Sequence, residues 1–141
     1  MGIKREIYRI VDANFNRSRE GLRVCEDIAR FAANSPALTK ELKKVRHGIS
    51  RIIKSSPDTA RMLIESRDAC GDVGRKPLAR AEVPRKGYAD IFTANIERVK
   101  ESLRVLEEFT KLVYPEGSPV LSRYRFKVYD IEKRAMRKLG Q

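Results

Sequence analysis

Asn14, Arg17, Glu20, Arg23 and Glu26 follow one another at three-residue spacing. On a helix such neighbours project about 60° apart and their side chains can touch. Guanidinium forks in a row of this kind bind oxyanions, phosphate above all, and the carboxylates between them can orient the forks or share a cation. The chain writes the row twice. NFNRSREGLRVCE at 14–26 returns 81 positions later as NIERVKESLRVLE at 95–107. Between 13–31 and 94–112, eight of 19 positions are identical: Ala13/Ala94, Asn14/Asn95, Arg17/Arg98, Glu20/Glu101, Leu22/Leu103, Arg23/Arg104, Val24/Val105 and Glu26/Glu107. Five of these eight pairs are polar or charged, which a repeat kept only for packing would not favour. Arg17, Glu20, Arg98 and Glu101 are therefore candidate catalytic residues. Asn14, Arg23, Asn95 and Arg104 are candidate substrate or phosphate contacts.

A second cluster, Arg67-Asp68-Ala69-Cys70-Gly71-Asp72-Val73-Gly74, has the composition of a tight ligand loop. Asp68 and Asp72 can hold Mg²⁺, while the amides of Gly71 and Gly74 and the Arg67 guanidinium can meet phosphate oxygens. The plain alternative is a helix end followed by an Asp/Gly turn. His47, the one histidine, follows Arg46 and has no visible catalytic partner. The sequence contains no Walker-A pattern, no GxGxxG and no zinc-ligand cluster.

These residues must be positioned by helices. Residues 8–33 read as one long helix with two apolar arcs, Ile10, Ala13, Val24, Ile28 and Phe31 on one and Val11, Phe15, Leu22 and Ala29 on the other. Gly21 inside it costs about 1 kcal/mol against Ala unless something approaches closely there. Ser35-Pro36 and Ser56-Pro57 are start signals for a helix to about Lys54 and a shorter one to about Arg67. The former carries Leu38, Leu42, Val45, Ile49 and Ile52 at steps of four and three; the latter carries Met62 and Leu63. Residues 67–87 lose the period and hold three glycines and two prolines, and their second, basic part reads as linker. A second long helix over about 89–113 carries Ile91, Ala94, Val105, Phe109 and Leu112, and Ser118-Pro119 restarts the chain for a final helix. No strand pattern competes. The expected fold is all-α: one domain over 1–141, a bundle of two repeated helical hairpins at about 8–54 and 89–139, bridged over 55–88 by the short helix and the long Gly/Pro loop.

In this reading Arg17 and Arg98 sit in the middle of their apolar stripes. A guanidinium turned into a core must be paired or must bind an anion. The competing account is an internal Arg–Glu lattice, Arg17 with Glu20 and Arg23 with Glu26 or Asp27, repeated in the second copy, each pair worth a few tenths of a kcal/mol.

Composition narrows the partners. Charged residues make up 35% and the net charge is +12, which favours anionic ligands. Cys25 and Cys70 lack metal or redox spacing and read as reduced thiols. The start, MGIKREIYRI, is not a signal peptide, and no stretch of ~18 apolar residues occurs, so a cytoplasmic protein with no membrane partner is expected. The basic row Arg123, Arg125, Lys127, Lys133, Arg134, Arg137 and Lys138 interleaves with an apolar stripe and reads as a solvated face, so nucleic acid is disfavoured.

DANFNRSREGLRVCEDIARF, LKKVRHGI, SRDACGDVG and ANIERVKESLRVLEEF, in this order, resemble one family, the monofunctional hydroxymethylpyrimidine phosphate kinase domain. That domain also occurs as an N-terminal extension of some bacterial thiamine phosphate synthases. The resemblance runs from about Tyr8 to Lys133. It implies transfer of the γ-phosphoryl group of ATP to 4-amino-5-hydroxymethyl-2-methylpyrimidine phosphate, giving the pyrophosphate, in thiamine biosynthesis. It further implies that Arg17, Arg23, Arg98 and Arg104 neutralise phosphates from two facing helices, with Arg46 and His47 of the second motif as further phosphate contacts. Glu20, Glu101, Asp68 and Asp72 are then the candidates for Mg²⁺, and Asn14 or Asn95 for the aminopyrimidine edge. Beyond the pyrimidine and ATP, a second copy of the chain and thiamine phosphate synthase are the partners to consider. With 141 residues the chain has no room for the (β/α)₈ barrel of the synthase and is expected not to join pyrimidine to thiazole. The rival readings are a non-catalytic module that binds a phosphorylated ligand or docks on a thiamine enzyme, and a basic helical nucleic-acid binder. A kinase should converge Arg17, Arg98 and the Asp68–Asp72 loop on one concave site.

Overall fold

The computed structural model describes residues 2–75 and 84–140. The expected basic linker falls largely on residues 76–83, outside the described part. Five α-helices and no strand occur among the described residues: α1 (Gly2–Asp27), α2 (Pro36–Lys54), α3 (Pro57–Ser66), α4 (Tyr88–Val113) and α5 (Gly117–Leu139). The all-α expectation holds. The first helix begins about six residues earlier than its periodicity suggests and ends differently. From Ile28 to Ala32 it widens into a π turn, where the amide of Ala33 donates to Ile28 O at 2.9 Å. Asn34 then takes a left-handed conformation, φ 49°, which asparagine tolerates better than most residues, and the chain reverses.

The hydroxyl of Ser35 accepts from the amide of Leu38, and that of Ser56 from Thr59, so both Ser-Pro starts act as expected. Ser118 does not. α5 begins one residue before it, and its hydroxyl instead donates to Glu107 O at 2.9 Å, tying the start of α5 to α4.

The helices stand in the cyclic order α1, α2, α5, α4, with α3 against the outer side of α1. α1 and α4 run antiparallel. The thiol of Cys25 faces Phe92 O, Gly21 faces Asn95 and Val99, and Glu20 faces Arg98, so numbers rise along one helix as they fall along the other. The two copies of the repeated row therefore lie side by side, head to tail. A Cβ on Gly21 would stand 2.7 Å from Val99 Cγ2 and 2.9 Å from Asn95 O, so this glycine lets the helices close up.

The phase of both long helices departs from expectation. The arc that enters the core is Ile7, Val11, Phe15, Leu22, Cys25 and Ala29, with Phe92, Ile96, Val99, Leu103 and Leu106 as its mate on α4. The arcs through Ile10, Ala13 and Val24 and through Ile91, Ala94 and Val105 are half-buried on the outer face, and their ends, Phe31 and Leu112, are 67% and 65% exposed; of the first arc only Ile28 is buried in the core. Arg17 and Arg98 lie on this outer face and are exposed rather than core-facing. The physical reason is plain: each long helix offers two apolar arcs, and the one without a guanidinium is far cheaper to bury. α2 buries Leu38, Leu42, Val45 and Ile49 as its stripe predicts.

Candidate functional site

A groove opens on the outer face, where the first half of α1 meets α3 and the loop after it. It encloses about 750 Å³ and is lined by Arg9, Ile10, Asp12, Ala13, Asn14, Arg17, Arg67, Asp68, Ala69, Asp72, Glu6 and, from α4, Val105. This lies within the size range of small-molecule sites. Ile10, Ala13 and Val105 give it an apolar floor, and the charged groups form its walls.

The loop is moored by a pair that no local pattern announces. Arg67, at the end of α3, donates from Nε and Nη2 to the two carboxylate oxygens of Asp12 at 2.6 and 2.8 Å. Asp12 is buried, and a bidentate fork is the geometry in which burial of a carboxylate is best repaid. The Asp12 carboxylate in turn raises the pKa of Arg67, first through these hydrogen bonds and then through its charge. Arg67, expected to meet phosphate, is thus an anchor that shapes the groove.

Beyond Arg67 the backbone folds on its own acids. Asp68 Oδ1 accepts the Gly71 amide at 2.8 Å, and Asp72 Oδ1 accepts the Gly74 amide at 2.9 Å. A Cβ on Gly71 would run into the Asp68 carboxylate, which makes this glycine part of the turn. The two glycine amides are therefore occupied rather than free for a ligand. Both aspartates remain exposed and line the groove. No cluster of three or more potential metal-ligating side chains occurs among the described residues.

The four repeated arginines have different fates. Arg23 reaches Glu26 and Asp27 at 3.5 and 3.8 Å, and Arg104 reaches Glu107 and Glu108 at 3.7 and 3.1 Å. Arg98 crosses to Glu20 at 3.7 Å. Arg17 alone of the four has no carboxylate at ion-pair distance among the described residues; its Nη1 donates to Asn14 Oδ1 at 3.4 Å. The lattice account is thus correct for the second half of each copy and incorrect for Arg17. Both asparagines spend one Nδ2 hydrogen on their own helix, Asn14 on Ile10 O at 2.9 Å and Asn95 on Ile91 O at 2.8 Å, which leaves one N–H of each amide for a ligand.

The lattice is anchored at two buried glutamates. Glu26 receives Nε and Nη2 of Arg46 at 3.0 and 3.4 Å, and Glu107 receives Nε and Nη2 of Arg125. Each ties a long helix to its own return helix, so Arg46 is a hairpin clamp. His47 is exposed on α2 and is not part of the groove. Arg98, Glu101 and Arg104 are not part of it either; Glu101 and Arg104 line a smaller groove with Lys100, Arg125 and Tyr129. Of the convergence expected for a kinase, Arg17 and the Asp68–Asp72 loop come together and Arg98 does not. Arg9, Asp12 and Glu6 join them without having been singled out. An aspartate inside an apolar helix, as Asp12 is, was the available signal.

Comparison with known proteins places the chain in a family. Residues 9–134 match the ThiD2 family, a span that takes in most of α1 through most of α5. The chain is 36% identical over 134 residues to the thiamine-phosphate synthase of Nostoc punctiforme, covering 95% of this chain and 36% of that protein. It is 38% identical over 126 residues to the thiamine-phosphate synthase of Synechocystis, covering 89% and 35%. The chain thus spans about a third of the length of these curated relatives. No solved structure gives a significant match. No described helix is long and apolar enough to cross a membrane.

Proposed function

The chain belongs to the ThiD2 family, and from that premise we propose that the groove of α1, α3 and the Asp68–Asp72 loop transfers the γ-phosphoryl group of ATP to 4-amino-5-hydroxymethyl-2-methylpyrimidine phosphate, in thiamine biosynthesis. The observation that carries this reading is Arg17, a guanidinium without a carboxylate, facing the groove between an apolar floor and two exposed aspartates. An accepting phosphate monoester has a second pKa near 6 and is already ionised at neutral pH, so no strong base is needed. The demand on the protein is to hold mutually repelling phosphates in line and to balance their charge.

Arg17 supplies a fork for one phosphate, held in orientation by Asn14, and Arg9 adds a second positive charge on the same helix face. Ile10, Ala13 and Val105 offer a surface against which a pyrimidine ring can lie. Asp68 and Asp72 fit a Mg²⁺ ion shared with substrate phosphates, since magnesium is commonly held by one or two carboxylates plus phosphate oxygens rather than by a protein cage. Bound there, the ion would supply further neutralisation of phosphate charge. The Asp12–Arg67 pair keeps these two carboxylates against α1.

A non-catalytic module is the second reading. It is favoured by the spending of one oxygen of each loop aspartate on a turn, and by relatives that are nearly three times as long. One assay separates the two: ADP release with the pyrimidine monophosphate, run beside the unphosphorylated alcohol, with Mg²⁺. Turnover of the monophosphate is expected. No turnover of either compound by folded protein would sink the kinase reading, whereas saturable binding without ADP would support the module.

A further inference from the structure

The duplication supplies its own control for what a cation does when it has, or lacks, a counter-ion. Arg19 and Lys100 are equivalent positions of the repeat. Each lines a groove on its own side of the α1–α4 pair, one with Glu20, Arg23, Asp27 and Arg46, the other with Glu101, Arg104 and Arg125. Lys100 is neutralised twice, by Glu97 and by Glu132, the latter at 2.9 Å, and it also lies 5.1 Å from the Tyr129 ring. On the Arg19 side the position of Glu97 is held by Asn16, whose amide is spent on Asp12. No carboxylate stands at ion-pair distance from Arg19 among the described residues, and its guanidinium rests 5.1 Å from the Phe15 ring. Arg19 Nε is the one buried side-chain nitrogen or oxygen among the described residues that has no hydrogen-bond partner. A donor left in that condition costs about 1–3 kcal/mol, and a charged one more.

We infer that the groove of Arg19, Arg23 and Arg46, about 510 Å³ in volume, is a second anion site, which takes a phosphate or phosphomonoester group. The anion supplies the counter-charge that Glu97 and Glu132 supply to Lys100. Arg19 turns its fork from Phe15 to meet it, and Arg46, whose Nε and Nη2 are held by Glu26, contributes a guanidinium edge already fixed in place. Val24 adds an apolar edge on which the organic part of an ester can rest. Arg17 and Arg19 project about 160° apart on α1, so this site is distinct from the first groove and does not depend on phosphoryl transfer there.

The test is a titration of ¹⁵N-arginine-labelled protein with inorganic phosphate, with AMP as phosphomonoester, and with chloride at matched ionic strength, following the Arg19 Nε–H resonance. Saturable shifts are expected with phosphate and AMP, tighter with AMP, and none with chloride. Arg17→Ala should leave the response intact. Asn16→Glu, which restores the carboxylate kept by the other copy, should weaken binding at least ~10-fold in a protein with an unchanged helical spectrum. An Arg19 resonance indifferent to phosphate and AMP, an equal response to chloride, or unchanged affinity in folded Asn16→Glu would each overturn the site.

Discussion

The asymmetry between Arg17 and Arg98 gives the sharpest test of the groove. The two occupy the same position of the repeat, so any reading based on the repeat alone expects equal losses on truncation. The structure separates them. Arg98 faces Glu20 at 3.7 Å, with 54% and 68% of the two side chains exposed, a pair worth at most about 1 kcal/mol to stability and not part of the groove. Arg17 faces the groove with no carboxylate of its own among the described residues. Losing one preorganised electrostatic contact to a charged transition state costs about 100-fold, or about 2.7 kcal/mol. Arg17→Ala should therefore lower ADP release by at least ~100-fold, while Arg98→Ala stays within about 3-fold. Arg17→Lys, which keeps charge but loses the fork, should fall between them. Circular dichroism and a urea midpoint for each variant guard against unfolding. Comparable losses in Arg17→Ala and Arg98→Ala, at equal stability, would refute the assignment of the site to one end of the helix pair.

Gly21→Ala gains about 1 kcal/mol of helix propensity but forces a methyl against Val99 and the Asn95 carbonyl, so urea unfolding should show a net loss of about 1–2 kcal/mol. A gain instead would mean that α1 and α4 are not pressed together there. Ellman's reagent should titrate one thiol in the native protein, the exposed Cys70, and two in denaturant, because Cys25 is fully buried and burial, helped by the charge of Glu132, pushes its thiol up to about 12. Glu41 accepts both Nη groups of Arg134, at 2.6 and 2.8 Å, and these bonds hold its pKa below the ordinary 4.5. The pair then stabilises above about pH 4.5 and its contribution disappears as the pH falls through the lowered value. Glu41→Gln should thus cost about 0.5–1 kcal/mol at pH 7, after discounting for solvent at Arg134, and the difference from wild type should vanish in acid; a difference independent of pH would contradict it.

What was legible in the sequence follows from how local the responsible physics is. Ser35 and Ser56 cap their own helices three residues on, so composition alone places them. The α2 stripe has one apolar arc and one possible orientation. Gly21 inside a helix signals a close approach, and Asn95 and Val99 provide it. The phase of α1 and α4 was not legible, because both arcs are apolar and the choice belongs to α2 and α5, which lie elsewhere in the chain. With the wrong arc turned inward, Arg17 and Arg98 became core residues on paper. Asp12–Arg67 and Glu26–Arg46 span 55 and 20 residues and leave no periodic trace. Their one signature is an acid in a helix that is otherwise apolar on that side, which implies a partner without naming it.

A duplicated helix would by itself offer two equivalent outer faces, and the structure indicates why one becomes a groove. Asp12 corresponds to Thr93, so the second copy has no acid to receive an arginine at that level. α3 ends in Arg67 beside Asp12 and brings the Asp68–Asp72 loop to the N-terminal half of α1, whereas at the equivalent level of α4 the Thr93 hydroxyl meets Met136 of α5. There Arg98 is left with Glu20 instead. The repeat thus provides the same arginine twice, and features outside the repeat, Asp12 together with α3 and its Arg67, separate the copy that faces a loop from the one that is neutralised. Thr93→Asp alone should therefore not create a second groove, since α3 and its Arg67 lie against α1. Asp12→Asn, by contrast, removes one charge from the Arg67 fork and should release the loop, seen as faster hydrogen exchange at the Gly71 and Gly74 amides while the α2 core amides stay protected. Unchanged exchange at both glycines would mean that the loop holds its place through its own turns, and that Asp12 matters only to α1.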